Sequence, residues 1–481
     1  MLNLVYINWK TIRIFEKNLF MTLIKSISGI RGTIGGKPEE NLTPVDTVKF
    51  AAAYGTYIQR NSTIDQLTIV VGRDARISGE MIQGLVMHTL IGMGINIIDL
   101  GLSTTPTVEM EVVNAKADGG IILTASHNPK QWNALKLLNA AGEFLDAEAG
   151  EEILNLAETN DFYFADVDKL GNRITKTTAI DEHIAAVLAH PLVNLAAIKA
   201  ASFSAVVDGV NSVGGIAIPS LLNALGVHCT KLYCDPTGHF PHNPEPLKEH
   251  LEDLSKKVLD AQTDMGIVVD PDVDRLAFMD EKGEMFGEEY TLVACADYVL
   301  SKTPGNTVSN LSSTRALRDV TEAAGGQYFA SAVGEVNVVA QMKAKKAVIG
   351  GEGNGGIIDP NLHYGRDALV GVALFLSLLA ERRCTVSDLK AGYPQYFMSK
   401  GKIELSPDMD VDALLKKMEV RYASENPLTI DGVKIDFPEG WVHMRKSNTE
   451  PIIRVYAEAK TQEAADEITA RFSAEILQEA N

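Results

Sequence analysis

The chain has 481 residues, 46% of them hydrophobic and 22% charged, the balance of a folded globular protein long enough for three or four cores of about 100–150 residues each. Its net charge of −19 and the lack of any Lys/Arg run exclude a nucleic-acid backbone or an anionic membrane surface as partner, so an anionic substrate would need a local basic pocket. No stretch approaches the roughly 18 apolar residues that span a bilayer, and Cys229, Cys234, Cys295 and Cys384 lack the paired spacing of zinc or redox sites.

In residues 1–20 the apolar stretches are broken by Asn, Lys, Arg and Glu and no small-residue cleavage site follows, which argues against a signal peptide. Met21 opens MTLIKSISGIRGT, a better domain start, so residues 1–20 read as a non-native or disordered extension. Short β-rich runs then alternate with helical stretches: LTIVV at 67–71, INIIDL at 95–100, GGIILTA at 119–125, SAVVDGV at 204–210 and MGIVVD at 265–270. That alternation predicts α/β layers with mainly parallel strands. A strand–turn–helix echo recurs in VVGRDARISGEMIQGLV, VVDGVNSVGGIAIPSLL and TVSNLSSTRALRDVTEA, predicting three related α/β units. From about Phe397 the pattern becomes that of a smaller α+β domain. The expected organisation is therefore 21–177, 178–285, 286–396 and 397–481, after the extension at 1–20.

Four segments could carry chemistry. In TASHNPKQWNALK, Ser126 sits where a strand stops and the chain turns into His127, Asn128 and the helix-breaking Pro129; by itself this also reads as an ordinary turn serine. DPDVDR at 270–275 sets Asp270, Asp272 and Asp274 two apart on one loop, hard oxygen donors that suit magnesium. Glu281 at the twelfth position invites comparison with a calcium-binding EF-hand, but Arg275 stands where that loop needs glycine. Carboxylates packed so closely repel one another unless a cation neutralises them. VIGGEGNGGIIDP at 348–360 places Glu352 and Asn354 among five glycines, open to close approach and suited to gripping vicinal hydroxyls, or simply a flexible loop. RKSNTEPIIR at 445–454 joins Arg445 to Ser447, Asn448 and Thr449 in a turn, either a phosphate cradle or a surface hairpin.

Together, with SGIRGT at 28–33, VGRDARISG at 71–79 and AVGEV at 332–336, these segments resemble the α-D-phosphohexomutase superfamily from Ile24 onward. The resemblance implies three similar mixed-sheet α/β domains plus a C-terminal α+β domain around a central active-site cleft. It implies a cytoplasmic, magnesium-dependent phosphohexomutase that works through a phosphoserine at Ser126 and a hexose 1,6-bisphosphate, which also serves as activator. Asp270, Asp272 and Asp274 would hold Mg2+ together with the serine's phosphate. Glu352, Asn354 and Gly334 would contact the sugar, while Arg445, Ser447, Asn448, Thr449 and Arg454 would take the unreactive phosphate. Arg31 and Arg275 would flank the transferred phosphate, Lys136 would assist proton transfer, and His127 would orient the serine loop. The partner is a small sugar phosphate, with no nucleic acid or membrane, and the assembly a monomer or homodimer.

One departure stands out. Several bacterial members end the sugar loop in a histidine, where this chain has Gly356; His363, Arg366 and Asp367 are nearby substitutes. The GEGNGG form resembles archaeal-type phosphoglucosamine mutases, so glucosamine phosphate is the first expected substrate, with mannose and glucose phosphates as alternatives. A catalytically silent sugar-phosphate-binding protein is a further alternative, although none of the four segments is lost. A serine hydrolase fits worse, because no GxSxG elbow surrounds Ser126.

Overall fold

The computed structural model describes residues 22–26, 29–404, 409–447 and 452–480; the expectation for residues 1–20 lies outside them. Within these residues the strands are β1 (Ile24–Ser26), β2 (Gly29–Thr33), β3 (Thr68–Arg73), β4 (Asn96–Leu102), β5 (Gly119–Leu123), β6 (Trp132–Leu138), β7 (Arg173–Thr175), β8 (Ser204–Asp208), β9 (His228–Leu232), β10 (Met265–Val269), β11 (Leu276–Met279), β12 (Asn306–Asn310), β13 (Tyr328–Ser331), β14 (Ala347–Glu352), β15 (Gly356–Ile358), β16 (Phe397–Glu404), β17 (Val433–Asp436), β18 (Gly440–Lys446) and β19 (Ile452–Ala459).

They form four sheets, in the orders β1-β2-β6-β5-β3-β4-β7, β11-β10-β8-β9, β13-β12-β14-β15 and β16-β19-β18-β17. The first three share one motif. A leading strand (β3, β8 or β12) lies between two parallel neighbours, and the second of these turns back into an antiparallel partner: β5 into β6, β10 into β11, β14 into β15. The sequence echo marks the leading strand of each unit and the helix after it, Gly79–Gly92, Gly214–Leu225 or Ala316–Ala323. The three sheets are mixed, as the resemblance implies, and parallel pairings around each leading strand remain the majority, as the alternation predicts. The return connections are only a few residues long, too short for the crossover helix that a parallel partner requires.

Those three short returns are the serine loop (β5 to β6), the aspartate loop (β10 to β11) and the glycine loop (β14 to β15). The topology puts all three at the same place in their units. The fourth sheet is antiparallel throughout.

Local sequence explains the elements. The helix Pro44–Asn61 starts at a capping box in which Thr43 and Asp46 satisfy each other's backbone N–H, with Pro at its first turn. β5 and β10 are uninterrupted apolar runs, buried at every position, as expected for strands covered on both faces. A single hydrophobic core runs through the second and third units, from Ile184 to Tyr393, with Phe278 and Phe375 stacked at 3.8 Å between centroids. The first unit has cores on the two faces of its sheet, and the fourth has its own around Phe472. The fourth docks on the third through Lys434 Nζ to the Leu311 carbonyl (2.8 Å), His443 to Ser312 (2.9 Å), and Arg315, which donates to the carbonyls of Phe437 and Gly440. No helix among the described residues is long and apolar enough to cross a membrane.

Candidate active site

Ser126 has a φ of +49°, a left-handed conformation that costs a residue with a side chain about 1–2 kcal/mol and so must be held in place. Arg76 holds it. This fully buried guanidinium is paired with Asp74 through Nε at 3.0 Å and donates to the carbonyls of Asn128 (2.7 Å), Pro129 (2.8 Å), Trp132 (3.0 Å) and Ser126 itself. Thr124 fixes both ends of the clamp, giving its hydroxyl proton to Asp74 (2.7 Å) and accepting from the Ser126 amide (2.9 Å). The serine hydroxyl is thereby aimed at the neighbouring unit, where it donates to Asp270 at 2.7 Å. His127 Nδ1 lies 3.4 Å from the same hydroxyl. Burial, reinforced by Arg275 and Arg31, keeps the ring well below its ordinary pKa and therefore neutral.

Asp270, Asp272 and Asp274 are all buried, with one carboxylate oxygen of each within 4.8 Å of the others. Asp272 accepts from Lys136 Nζ and from the Thr105 hydroxyl, both at 2.7 Å, and Asp274 accepts from Lys136 (3.3 Å) and Arg366 (2.6 Å). The second oxygens, Oδ1 of Asp272 and of Asp274, are buried with no hydrogen-bond partner. Two orphaned anionic oxygens beside a third carboxylate fit a hard divalent cation. Repulsion splits the group: burial and then the charges of Asp272 and Asp274 drive Asp270 well up, while at Asp272 burial is outweighed by the Lys136 charge together with hydrogen bonds that include those from Lys136 and Thr105.

Glu352 ends β14 and is held by four donors. Its carboxylate accepts from Asn310 Nδ2 (2.8 Å), the Gly334 amide (3.1 Å), Arg366 Nη1 (3.0 Å) and, at 3.4 Å, Asn354 Nδ2. Burial would raise it, but Arg366 and these donors keep it below its usual range. Gly334, expected among the sugar contacts, here supports Glu352. Of the substitutes considered for a side chain at 356, Arg366 alone reaches the aspartate loop among the bonds of the described residues. Asp367 instead caps the helix Ala368–Arg382 and accepts from His183 (2.9 Å) and His363 (3.3 Å). His363 sits between Asp367 and the buried carboxylate of Glu109, 3.4 Å away.

The basic pocket required by an acidic chain is present. Arg31 lies 3.4 Å from Asn128 of the serine loop and feels Arg275, whose charge, after burial, lowers it. Arg275 is paired with Glu245 at 3.2 Å. On the fourth sheet Arg445 and Arg454 stand opposite each other across β18 and β19, and Arg445, lowered mainly by burial, also feels Glu352. Ser447 closes that hairpin through its amide to Ile452 (3.0 Å); Asn448 and Thr449 lie outside the described residues. Sequence reading missed Arg76, Thr105, Glu335 and Glu109. Arg76 was in view within VGRDARISG, but its partners are some fifty positions away.

Comparison with known proteins agrees with this arrangement. The four domain patterns of phosphoglucomutase/phosphomannomutase match in order: alpha/beta/alpha domains I, II and III at residues 23–164, 181–283 and 287–396, and the C-terminal domain at 401–475. A protein of Thermococcus kodakarensis named phosphoglucomutase/phosphomannomutase is 34% identical over 441 residues, covering 91% of this chain and 96% of that protein. A probable phosphoglucosamine mutase of Methanopyrus kandleri is 31% identical over 448 residues, 92% of this chain and 96% of its own. A solved structure of a phosphoglucomutase/phosphomannomutase family protein from Burkholderia thailandensis superposes with a TM-score of 0.82 at 24% identity, covering 96% of this chain and 97% of that one. With the three repeated loops each falling inside its own matched domain and the fourth sheet almost wholly inside the C-terminal one, the chain belongs to the phosphoglucomutase/phosphomannomutase family.

Proposed function

We propose that this protein interconverts hexose 6-phosphates and hexose 1-phosphates through a phosphoserine at Ser126, with glucosamine phosphate as its first substrate. The observation that carries this reading is the contact of the strained, buried Ser126 hydroxyl with Asp270 of the aspartate triad, beside Arg31, Arg275 and Lys136. Phosphoryl transfer depends mainly on position and charge neutralisation, and these residues supply both. Mg2+ held by Asp270, Asp272 and Asp274 would neutralise charge on the transferring group.

Arg76 keeps Ser126 Oγ turned towards the aspartate loop, and Arg31 and Arg275 offset the charge of the moving phosphoryl. The P–O bond to Ser126 breaks as the sugar's free hydroxyl oxygen bonds to phosphorus and gives up its proton. The resulting 1,6-bisphosphate turns over and returns its other phosphate to the serine. Lys136 is held charged by Asp272 and Asp274, which outweigh the opposing effect of burial. Charged, it has no lone pair, so it must first give up a proton of its own before it can take the hydroxyl's proton. Glu352 and Asn354 grip the sugar hydroxyls, and Arg445 with Arg454 and Ser447 hold the phosphate that stays.

The choice of sugar rests on the GEGNGG loop and on the Methanopyrus relative; the name of the Thermococcus relative supports mannose and glucose phosphates as the second reading. Specificity constants for glucosamine 6-phosphate, mannose 6-phosphate and glucose 6-phosphate, measured with magnesium and catalytic bisphosphate, decide between them. Intact-mass analysis is expected to show a phosphorylated fraction that vanishes in Ser126→Ala together with turnover. Full activity in that variant would sink the mechanism.

A further inference from the structure

Arg366 is the meeting point of four segments distant in sequence. Its backbone amide and its Nε both donate to Glu335, the first residue of the helix Glu335–Lys345, at 3.2 and 2.8 Å. With that edge fixed, the planar guanidinium has no freedom left, and its two terminal nitrogens diverge. One reaches Glu352 of the glycine loop at 3.0 Å, and the other reaches Asp274 of the aspartate loop at 2.6 Å. The residue is only 8% exposed. Its stem crosses Gly356 so closely that a Cβ there would lie 2.3 Å from Arg366 Cδ. A side chain at position 356 and this placement of Arg366 are mutually exclusive.

We propose that Arg366 is the positioning residue that couples the aspartate loop to the glycine loop, and that Gly356 is the space it requires. One guanidinium sets the direction of Glu352 and at the same time places its positive charge on Oδ2 of Asp274, opposing a metal held at the free Oδ1, so metal affinity and sugar-phosphate affinity are linked through it. This rests on the reading of Asp270–Asp274 as the metal site and of Glu352 as the sugar contact. Lysine cannot substitute, because a point charge cannot bond three carboxylates in the plane that the fork spans. Linkage of this kind is reciprocal: whatever factor sugar phosphate changes metal affinity by, metal changes sugar-phosphate affinity by as well.

The sign of the effect separates coupling from simple scaffolding. Removing Arg366 removes a competing cation from Asp274, so metal should bind more tightly while the sugar phosphate binds more weakly; a merely structural role would weaken both. Mn2+ binding to the full chain, followed by electron paramagnetic resonance with and without glucosamine 6-phosphate, reads the first quantity without turnover, and KM against kcat reads the second. In Arg366→Gln and in Gly356→Ala, which keeps the charge but displaces the stem, Mn2+ affinity is expected to rise about threefold or more, and KM about tenfold. The effect of sugar phosphate on Mn2+ affinity is expected to fall to about onefold. Circular dichroism melting confirms that each variant is folded, and Arg366→Lys provides a third that retains charge and bulk.

Unchanged Mn2+ affinity and KM in both Arg366→Gln and Gly356→Ala, or parallel weakening of both quantities, would overturn the proposal. Mn2+ binding that is lost in Asp272→Asn yet untouched by the Arg366 variants overturns it while leaving the metal-loop reading intact. A wild-type chain that takes up no Mn2+ overturns the metal-loop reading and this proposal with it.

Discussion

The serine loop and the glycine loop occupy the same slot in two copies of one motif, and each is fixed by a buried arginine, yet the two arginines do opposite things. Arg76 spreads its donors over backbone carbonyls of the loop it holds, with a single acidic partner, Asp74. Arg366 spreads its donors over three carboxylates from three other segments. A guanidinium on carbonyls fixes a backbone shape and keeps a strained residue strained. A guanidinium on carboxylates fixes side-chain direction and charge, and any competing cation can share its partners. The first loop is therefore built as a rigid mount and the second as an adjustable one.

The largest expected effect breaks the rigid mount. Arg76→Ala leaves Asp74 buried without its cation, and loss of one partner of a buried pair costs about 3–5 kcal/mol. Denaturant midpoints should show that loss, accompanied by a collapse of turnover, since Arg76 supplies most of the bonds that hold the Ser126 loop in its left-handed conformation. Retention of wild-type stability would mean that the clamp is dispensable.

Next comes Glu352→Gln, which weakens the adjustable side. It should raise KM for sugar phosphate by about tenfold, while stability changes by about 1 kcal/mol, because an amide keeps part of the hydrogen bonding. A kinetic split between KM and kcat, set beside a melting curve, checks both halves.

A smaller effect is pH-dependent. Glu109 is fully buried beside Gly365 and His363, with neither oxygen hydrogen-bonded, and burial followed by the charge of Glu335 raises it well above its ordinary value. The folded chain thus keeps a proton that the unfolded chain releases, so the group's contribution falls as pH rises from its ordinary carboxylate value towards the folded one. Glu109→Gln carries no such slope. The melting temperature of this variant relative to wild type is expected to climb as pH rises above the ordinary carboxylate range, and a pH-independent difference would contradict the assignment.

The smallest effect lies at the rim between the two regions, where Lys343 pairs with Glu143 across the first and third units. Lys343→Ala should change stability by less than about 1 kcal/mol, and added salt should erase the difference.

The sequence made some of this legible and hid the rest for physical reasons. Strand and helix alternation showed because each buried strand is a short apolar run and each helix a longer mixed one. The serine, aspartate and glycine loops showed because their chemistry is consecutive in the chain. The antiparallel returns did not, since LKLL in β6 and LAFM in β11 carry the same apolar signal whichever way they pair. The Arg76 clamp and the Glu335–Arg366–Asp274 bridge depend on contacts between distant positions, which no local pattern encodes. Gly356 is the sharpest case. Read along the chain it is a histidine gone missing, whereas in space it is the opening through which Arg366 reaches the aspartate loop.

The continuous core beneath the second and third units sets how many independent bodies the cleft has. The aspartate and glycine loops are mounted on that one body, so their separation is fixed by interior packing and cannot breathe without opening a hydrophobic interior. The serine mount and the Arg445–Arg454 pair each belong to a body with its own core. The backbones that carry Asp274 and Glu352 thus share one interior, whereas Ser126 and the arginine pair rest on interiors of their own.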